Sequence, residues 1–191
     1  MSVAEALIEE TRELGDYSGL QVAPDLATLL SILTHACQPR FAVEVGTFTG
    51  LSSLAIAEAL PQGGRLLCCD PSARYTAMAR RYWHMAGVGD RVELAVAPAE
   101  ETLAQLDEQV DFAFIDILQP RAVYDLLLPR LTPHGLIAVD NMTYETSDRG
   151  FVDYVKADEA VESVLLTLGG GLVLIRKRRD EDTTSWVEVG T

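Results

Sequence analysis

Short apolar runs, bounded by glycine, proline and acidic residues, alternate along this chain with longer segments whose apolar residues recur at helical spacing. The runs at 41–45, 65–69, 91–96, 111–116 and 135–140 predict strands, and their continuous apolar character suits strands covered on both faces of a parallel sheet. Segments 51–60, 72–86, 99–106 and 121–131 predict the intervening helices, so the order is that of a doubly wound, Rossmann-like α/β fold. Ahead of them lie an amphipathic helix carrying Leu7, Ile8 and Leu14 and a second helix over 24–36, which make residues 1–40 a helical entry. Residues 161–168 and 172–177 are two further β-rich runs, split only by Gly169, Gly170 and Gly171. That gap is too short for a helical crossover and predicts an antiparallel hairpin at the sheet edge. Nothing resembling a repeat or a linker intervenes, and 1–191 reads as a single domain. Its polar tail, 179–191, contains a Trp186 to Val189 stretch that either docks or frays.

Composition narrows the classes. With 191 residues and 48% hydrophobic content, the chain suits one domain with a sizeable core. It has no run of 18 apolar residues and no basic-then-apolar leader, which predicts a soluble, cytoplasmic protein without a membrane partner. Three cysteines, Cys37, Cys68 and Cys69, offer no disulfide framework. A formal charge of −14 argues against nucleic acid, because phosphate binding needs basic clusters. The one such cluster, Arg176 to Arg179, runs straight into Asp180, Glu181 and Asp182 and reads as a solvated strand end.

In open α/β sheets ligands sit beyond the carboxyl ends of the strands. The polar residues predicted there are Glu44, Asp70, Glu100 beside Ala99, Asp116, and Asp140 with Asn141. At the first of these ends, Gly46 and Gly50 lead into a helix from Leu51. Glycine lets a ligand approach the backbone, and the first N–H groups of the helix face it. A ligand-free strand-to-helix turn has the same composition. The acid at 44 before the first glycine departs from the Gly-x-Gly-x-x-Gly spacing of dinucleotide enzymes and argues against NAD. Asp116, Asp140 and Asn141 form an oxygen donor set suited to a hard divalent cation. Asp140 and Asn141 also suit a plain turn. His35 and His84 fall in helical patterns and read as structural, while His134 lies at the opposite end of its strand.

Several separate motifs then agree in order: AVEVGTFTGLSSLAIAEALP (42–61), ARRYWHMAGVGDRVEL (79–94), DFAFID (111–116), LTPHGLIAVDN (131–141) and GGGLVLIRK (169–177). Together they resemble the cation-dependent, S-adenosylmethionine (SAM) using O-methyltransferases of the caffeoyl-coenzyme A and catechol type. The resemblance implies a seven-stranded sheet with the last strand antiparallel, SAM and Mg²⁺ or another divalent cation as cofactors, a hydroxylated small-molecule substrate and a homodimer. It implies that Glu44 and Gly46 hold the amino acid end of SAM, with Phe48 in the same turn, that Ser52 binds its carboxylate and that Leu20 packs against it. Ala99 and Glu100 fall at the adenine. Asp116, Asp140 and Asn141 match the metal ligands, with Asp116 also close to SAM.

Three departures qualify the resemblance. Gln119 stands where a lysine base is implied, and glutamine accepts no proton. Arg121, in a shortened loop, swings toward that place in this reading, but a guanidinium only stabilises an oxyanion. The implied ribose acid falls on Cys68, so that either Asp70 reaches round to the hydroxyls or SAM is held less tightly. Finally, the segment between Asn141 and Phe151 is short, predicting an open pocket for a larger acceptor. The expected activity is Mg²⁺-dependent methylation of a catechol-like or hydroxy-aromatic molecule, with Asp116, Gln119 and Arg121 as the catalytic candidates. The alternative is a relative without methyl transfer, serving as a SAM- or partner-binding module or as an enzyme with non-methyl chemistry in the same pocket.

Overall fold

The computed structural model describes residues 1–144 and 148–179; the Trp186 to Val189 stretch lies outside them. Seven strands form one sheet in the order β3-β2-β1-β4-β5-β7-β6. The first five, β1 (Phe41–Val45), β2 (Arg65–Cys69), β3 (Val92–Ala95), β4 (Val110–Ile115) and β5 (Leu131–Val139), pair in parallel. The predicted hairpin is β6 (Val161–Leu166) with β7 (Leu172–Lys177), and β7 inserts antiparallel between β5 and β6. The switch point of this order lies where β1 meets β4 and where chain crossovers part to opposite sides.

Helices cover both faces, as the apolar runs require. On one face α1 (Val3–Arg12), α2 (Pro24–Cys37), α3 (Leu51–Ala59) and α4 (Ala73–Met85) bury Leu7, Leu30, Leu54 and Trp83 against Ala42, Phe112 and Phe114. On the other, α5 (Ala99–Ala104), α6 (Arg121–Leu127) and α7 (Arg149–Lys156) bury Leu103, Val123, Tyr124 and Phe151 against Val43, Val45 and Ile115. Successive strand residues point to opposite faces, so Ala42 and Val43 enter different cores. Ser2 and Glu5 close a reciprocal capping box at α1. Tyr82 then ties α1 down, its hydroxyl donating to Ala6 O at 3.1 Å and bonding Glu10 at 2.6 Å.

Some boundaries differ from the expectation. β5 begins at Leu131 rather than 135, and a register shift between the Val110 and Phe112 pairs absorbs the stretch around Pro133. Pro129 ends α6 early in a 3₁₀ turn over Leu128–Arg130. Leu14 lies past the end of α1, ahead of an unpredicted 3₁₀ segment, Gly15–Leu20. Gly15–Cys37 is apolar and long enough in total to cross a membrane. Extended backbone at Gln21 and Ala23 breaks it into two pieces.

Candidate functional site

A cavity of about 730 Å³ opens at the carboxyl ends of β1 to β5 and beneath the β6–β7 tip, with residues 19–23 along one side. The glycine turn forms its floor. Gly46 has φ +88°, and a Cβ there would lie 2.2 Å from the carbonyl oxygen of Asp116. Its N–H donates to Cys69 O at 3.0 Å, so the chain passes between β2 and β4 with no room for a side chain. Gly50 has another reason to be glycine. Its φ is +93°, and a Cβ would meet that of Ala79 at 2.6 Å, so this residue admits α4 rather than a ligand.

Asp70 holds the turn in shape. One carboxylate oxygen accepts from the backbone N–H of Thr47 at 3.0 Å and of Phe48 at 2.8 Å; the other accepts from Ser72 N–H at 2.7 Å. These bonds stabilise Phe48 at φ +49°, a left-handed conformation that costs a non-glycine residue about 1 kcal/mol. Asp70 is therefore the acid that the second strand presents to the cavity. Cys68 is fully buried in the α1–α4 core, so a carboxylate there would be sealed away from any ribose. The expectation that Asp70 must compensate for Cys68 is corrected on that ground.

Glu44 is also fully buried and does not line the cavity. Neither carboxylate oxygen makes a hydrogen bond of ordinary geometry. Burial pushes its carboxyl up to about 7, although the nearby hydroxyls of Ser52, Thr47 and Ser53 and the Cys68 thiol favour the charged form. Ser52, in the first turn of α3, lines only a narrow recess behind the turn, together with Leu20, Gly46 and Phe48.

Across the cavity floor, Asp116 and Asp140 face the same space from the ends of β4 and β5. Burial pushes Asp116 up to about 7, the charges of Asp140 and Glu44 add to it, and the Asn141 amide opposes. Asp140 is raised by burial against one backbone hydrogen bond from Asn141. Its Oδ1 is buried without a hydrogen-bond partner. Asn141 Nδ2 donates to Asp116 Oδ1 at 2.5 Å. Asn141 itself sits at φ +66°, and a Cβ on Gly170 would come within 2.7 Å of its Oδ1. Thr143 N–H and its hydroxyl both donate to Gly170 O at 2.7 Å, which clamps this loop to the hairpin tip. Two crowded carboxylates, one unpartnered oxygen and an adjacent amide are a donor set that a hard divalent cation would satisfy. The Asn141 amide would present its oxygen after a rotation that gives up the bond to Asp116.

Of the remaining expected residues, Leu20, Phe48, Ala99 and Glu100 line the cavity. Gln119 and Arg121 do not. Gln119 is exposed, and the Arg121 guanidinium lies 3.9 Å from the Tyr154 ring centroid, outside the cavity lining. The expected swing of Arg121 toward the site is thus replaced by a stack on α7. Sequence reasoning missed Tyr75, whose ring is 4.8 Å from that of Phe48, and Tyr144, both of which line the cavity. It also missed Gln21, whose Nε2 donates to Thr11 and Thr49 at 2.9 and 3.1 Å. Only the position of Tyr75, three residues past the Ser72 cap of α4, carried a local signal.

The chain resembles known proteins along almost its whole described length. The O-methyltransferase family profile matches residues 1–178. A "Probable caffeoyl-CoA O-methyltransferase 2" of Dictyostelium discoideum is 30% identical over 92% of this chain and 85% of its own length. Among solved structures, the O-methyltransferase TomG of Streptomyces achromogenes, in complex with SAM, has TM-score 0.82 and 26% identity, covering 93% of this chain and 90% of its own. The O-methyltransferase of Bacillus cereus in complex with SAH has TM-score 0.79 and 26% identity, covering 91% of each chain. With a match across the whole sheet and its helices, the chain belongs to the O-methyltransferase family.

Proposed function

We propose that this enzyme transfers the methyl group of SAM to a hydroxyl of a catechol-like or hydroxy-aromatic small molecule, assisted by a divalent cation. The observation that carries the reading is the pair Asp116 and Asp140, with the orphaned Oδ1 of Asp140, facing one cavity with the Gly46 turn. The SAM-bound and SAH-bound relatives support the cofactor. Bound there, SAM supplies a sulfonium methyl that is already activated, so the protein's work is alignment and proton removal.

The chain's own residues divide that work by position. The Gly46 turn brings backbone close to the cofactor side, and Phe48 and Tyr75 wall it with aromatic surface. Asp116, Asp140 and Asn141 would hold the cation, which supplies a lowered hydroxyl pKa and a fixed direction of attack. Ile117 gives the acceptor ring an apolar wall, with Leu118 exposed at its edge. No lysine or histidine lines the cavity among the described residues. The proton therefore passes to solvent or to a carboxylate of the site, in keeping with a Gln119 that accepts none.

The test is incubation with labelled SAM and a panel of catechols, with and without EDTA, beside Asp140→Ala. Transfer that depends on the cation and falls at least about a hundredfold in the variant is expected. Transfer indifferent to both would remove the cation from the reading.

A further inference from the structure

The tip of the β6–β7 hairpin carries Gly169, Gly170 and Gly171, and backbone conformation calls for only two of them. Gly169 and Gly171 have φ +55° and +87°, in the left-handed region that favours glycine, whereas Gly170 lies outside it. The reason for glycine at 170 is steric. A Cβ there would lie 2.4 Å from Cε2 of Tyr144 and 2.7 Å from Oδ1 of Asn141, while one at Gly169 would meet nothing within 4 Å.

The loop that follows β5 is laid along this tip. Met142 N–H donates to Gly171 O at 2.9 Å, and Thr143 gives Gly170 O both its N–H and its hydroxyl. Asn141 immediately precedes these bonds at φ +66°. Its amide is thereby confined between Asp116 Oδ1, to which it donates, and the bare face of Gly170. Turning the amide oxygen toward a cation exchanges the two terminal atoms of the side chain, and the atom that comes to face Gly170 needs the same clearance. The two neighbours differ in freedom. Tyr144 is 53% exposed and its ring can turn outward, but a methyl group at 170 would still push the amide away from its place beside Asp116.

We propose that Gly170 is a positioning residue of the cation site: its missing side chain seats the Asn141 amide beside Asp116 and Asp140 and leaves it room to turn its oxygen to the ion. The inference rests on the cation-assisted reading. It extends the site from the strand ends to a turn that would otherwise only join two strands.

The test is Mn²⁺ binding, followed by electron paramagnetic resonance on the full chain without SAM or acceptor. Gly170→Ala should weaken Mn²⁺ binding about tenfold or more, the usual loss when a group that orients a metal ligand is disturbed, and leave SAH affinity by calorimetry within about twofold. Gly169→Ala strains the same turn but adds its methyl group to open space, so Mn²⁺ affinity should stay at the wild-type value. In an Asn141→Ala background, adding Gly170→Ala should cost nothing further, because the two changes act through one side chain. In turnover, the loss in Gly170→Ala should be recovered by raising Mg²⁺, so that the concentration needed rises while the maximal rate holds. Equal Mn²⁺ affinity in Gly170→Ala and the wild type would overturn the inference, as would an equal loss in Gly169→Ala or a further loss in the double variant; in each of these cases the cation-assisted reading stands. Wild-type protein that binds no Mn²⁺ would instead remove the cation from the proposed function, and the seat with it.

Discussion

Glu44 provides a stability experiment whose sign depends on pH. Its carboxyl is fully buried, without hydrogen bonds of ordinary geometry, and is pushed from 4.5 up to about 7. Because the folded pKa lies above the unfolded one, the folded protein keeps a proton that the unfolded chain releases. This contribution is fully present below the ordinary value of 4.5 and is lost as pH rises through about 7. The interval, at about 1.4 kcal/mol per pH unit, comes to roughly 3 kcal/mol of folding stability given up at pH 8. Glu44→Gln keeps the shape and removes the charge. In protein stripped of cofactor, the variant should exceed the wild type by about 2 to 3 kcal/mol at pH 8, less than the full amount because the amide also lacks partners. For a chain of this length that is a rise of roughly 5 to 10 °C in Tm. At pH 4.5 the gain should vanish, leaving the variant equal to the wild type or slightly less stable. Thermal and urea unfolding at both pH values measure the difference. A gap of equal size at the two pH values, or a variant less stable at pH 8, would show that Glu44 is not the strained group argued here.

Two more substitutions separate support from spectatorship. Asp70→Ala removes the acceptor of three backbone N–H bonds and should cost about 2 kcal/mol or more in denaturant unfolding, together with a measurable loss of SAM affinity by calorimetry. Unchanged values in both would free the turn from Asp70. Tyr124→Phe deletes a buried hydroxyl that has no hydrogen-bond partner, so stability should be unchanged or rise by up to about 1 kcal/mol. A loss above that size would mean the hydroxyl is bonded.

The sheet was legible because its strands are continuous apolar runs: Phe41–Val45 and Arg65–Cys69 begin and end where the run does. β5 was clipped in the reading because Pro133 and Gly135 look like a turn, yet Leu131 remains paired with Val110 across the register shift. Asp70, Asp116, Asp140 and Asn141 could be placed at the cavity because strand ends in a parallel sheet converge. The fates of Arg121 and Gln21 could not. One depends on the approach of α7, which brings Tyr154 under the guanidinium, and the other on Thr11 and Thr49, 10 and 28 residues away in the chain. Long-range contacts of that kind leave no period in the sequence.

The Gly15–Leu20 segment buries none of its own residues, although α1 before it and α2 after it each place leucines in the core. Its opening therefore exposes little apolar surface, and what resists it is the bonding of Gln21 to two threonine hydroxyls. One of those hydroxyls belongs to Thr49, in the glycine turn itself. Amide hydrogen exchange should find a unit that opens far below the global unfolding free energy, with Leu20 moving while Leu7 and Leu30 stay protected. Such exchange would mean that a side wall of the cavity detaches and returns without melting the domain, giving bulky molecules a soft edge beside a rigid sheet.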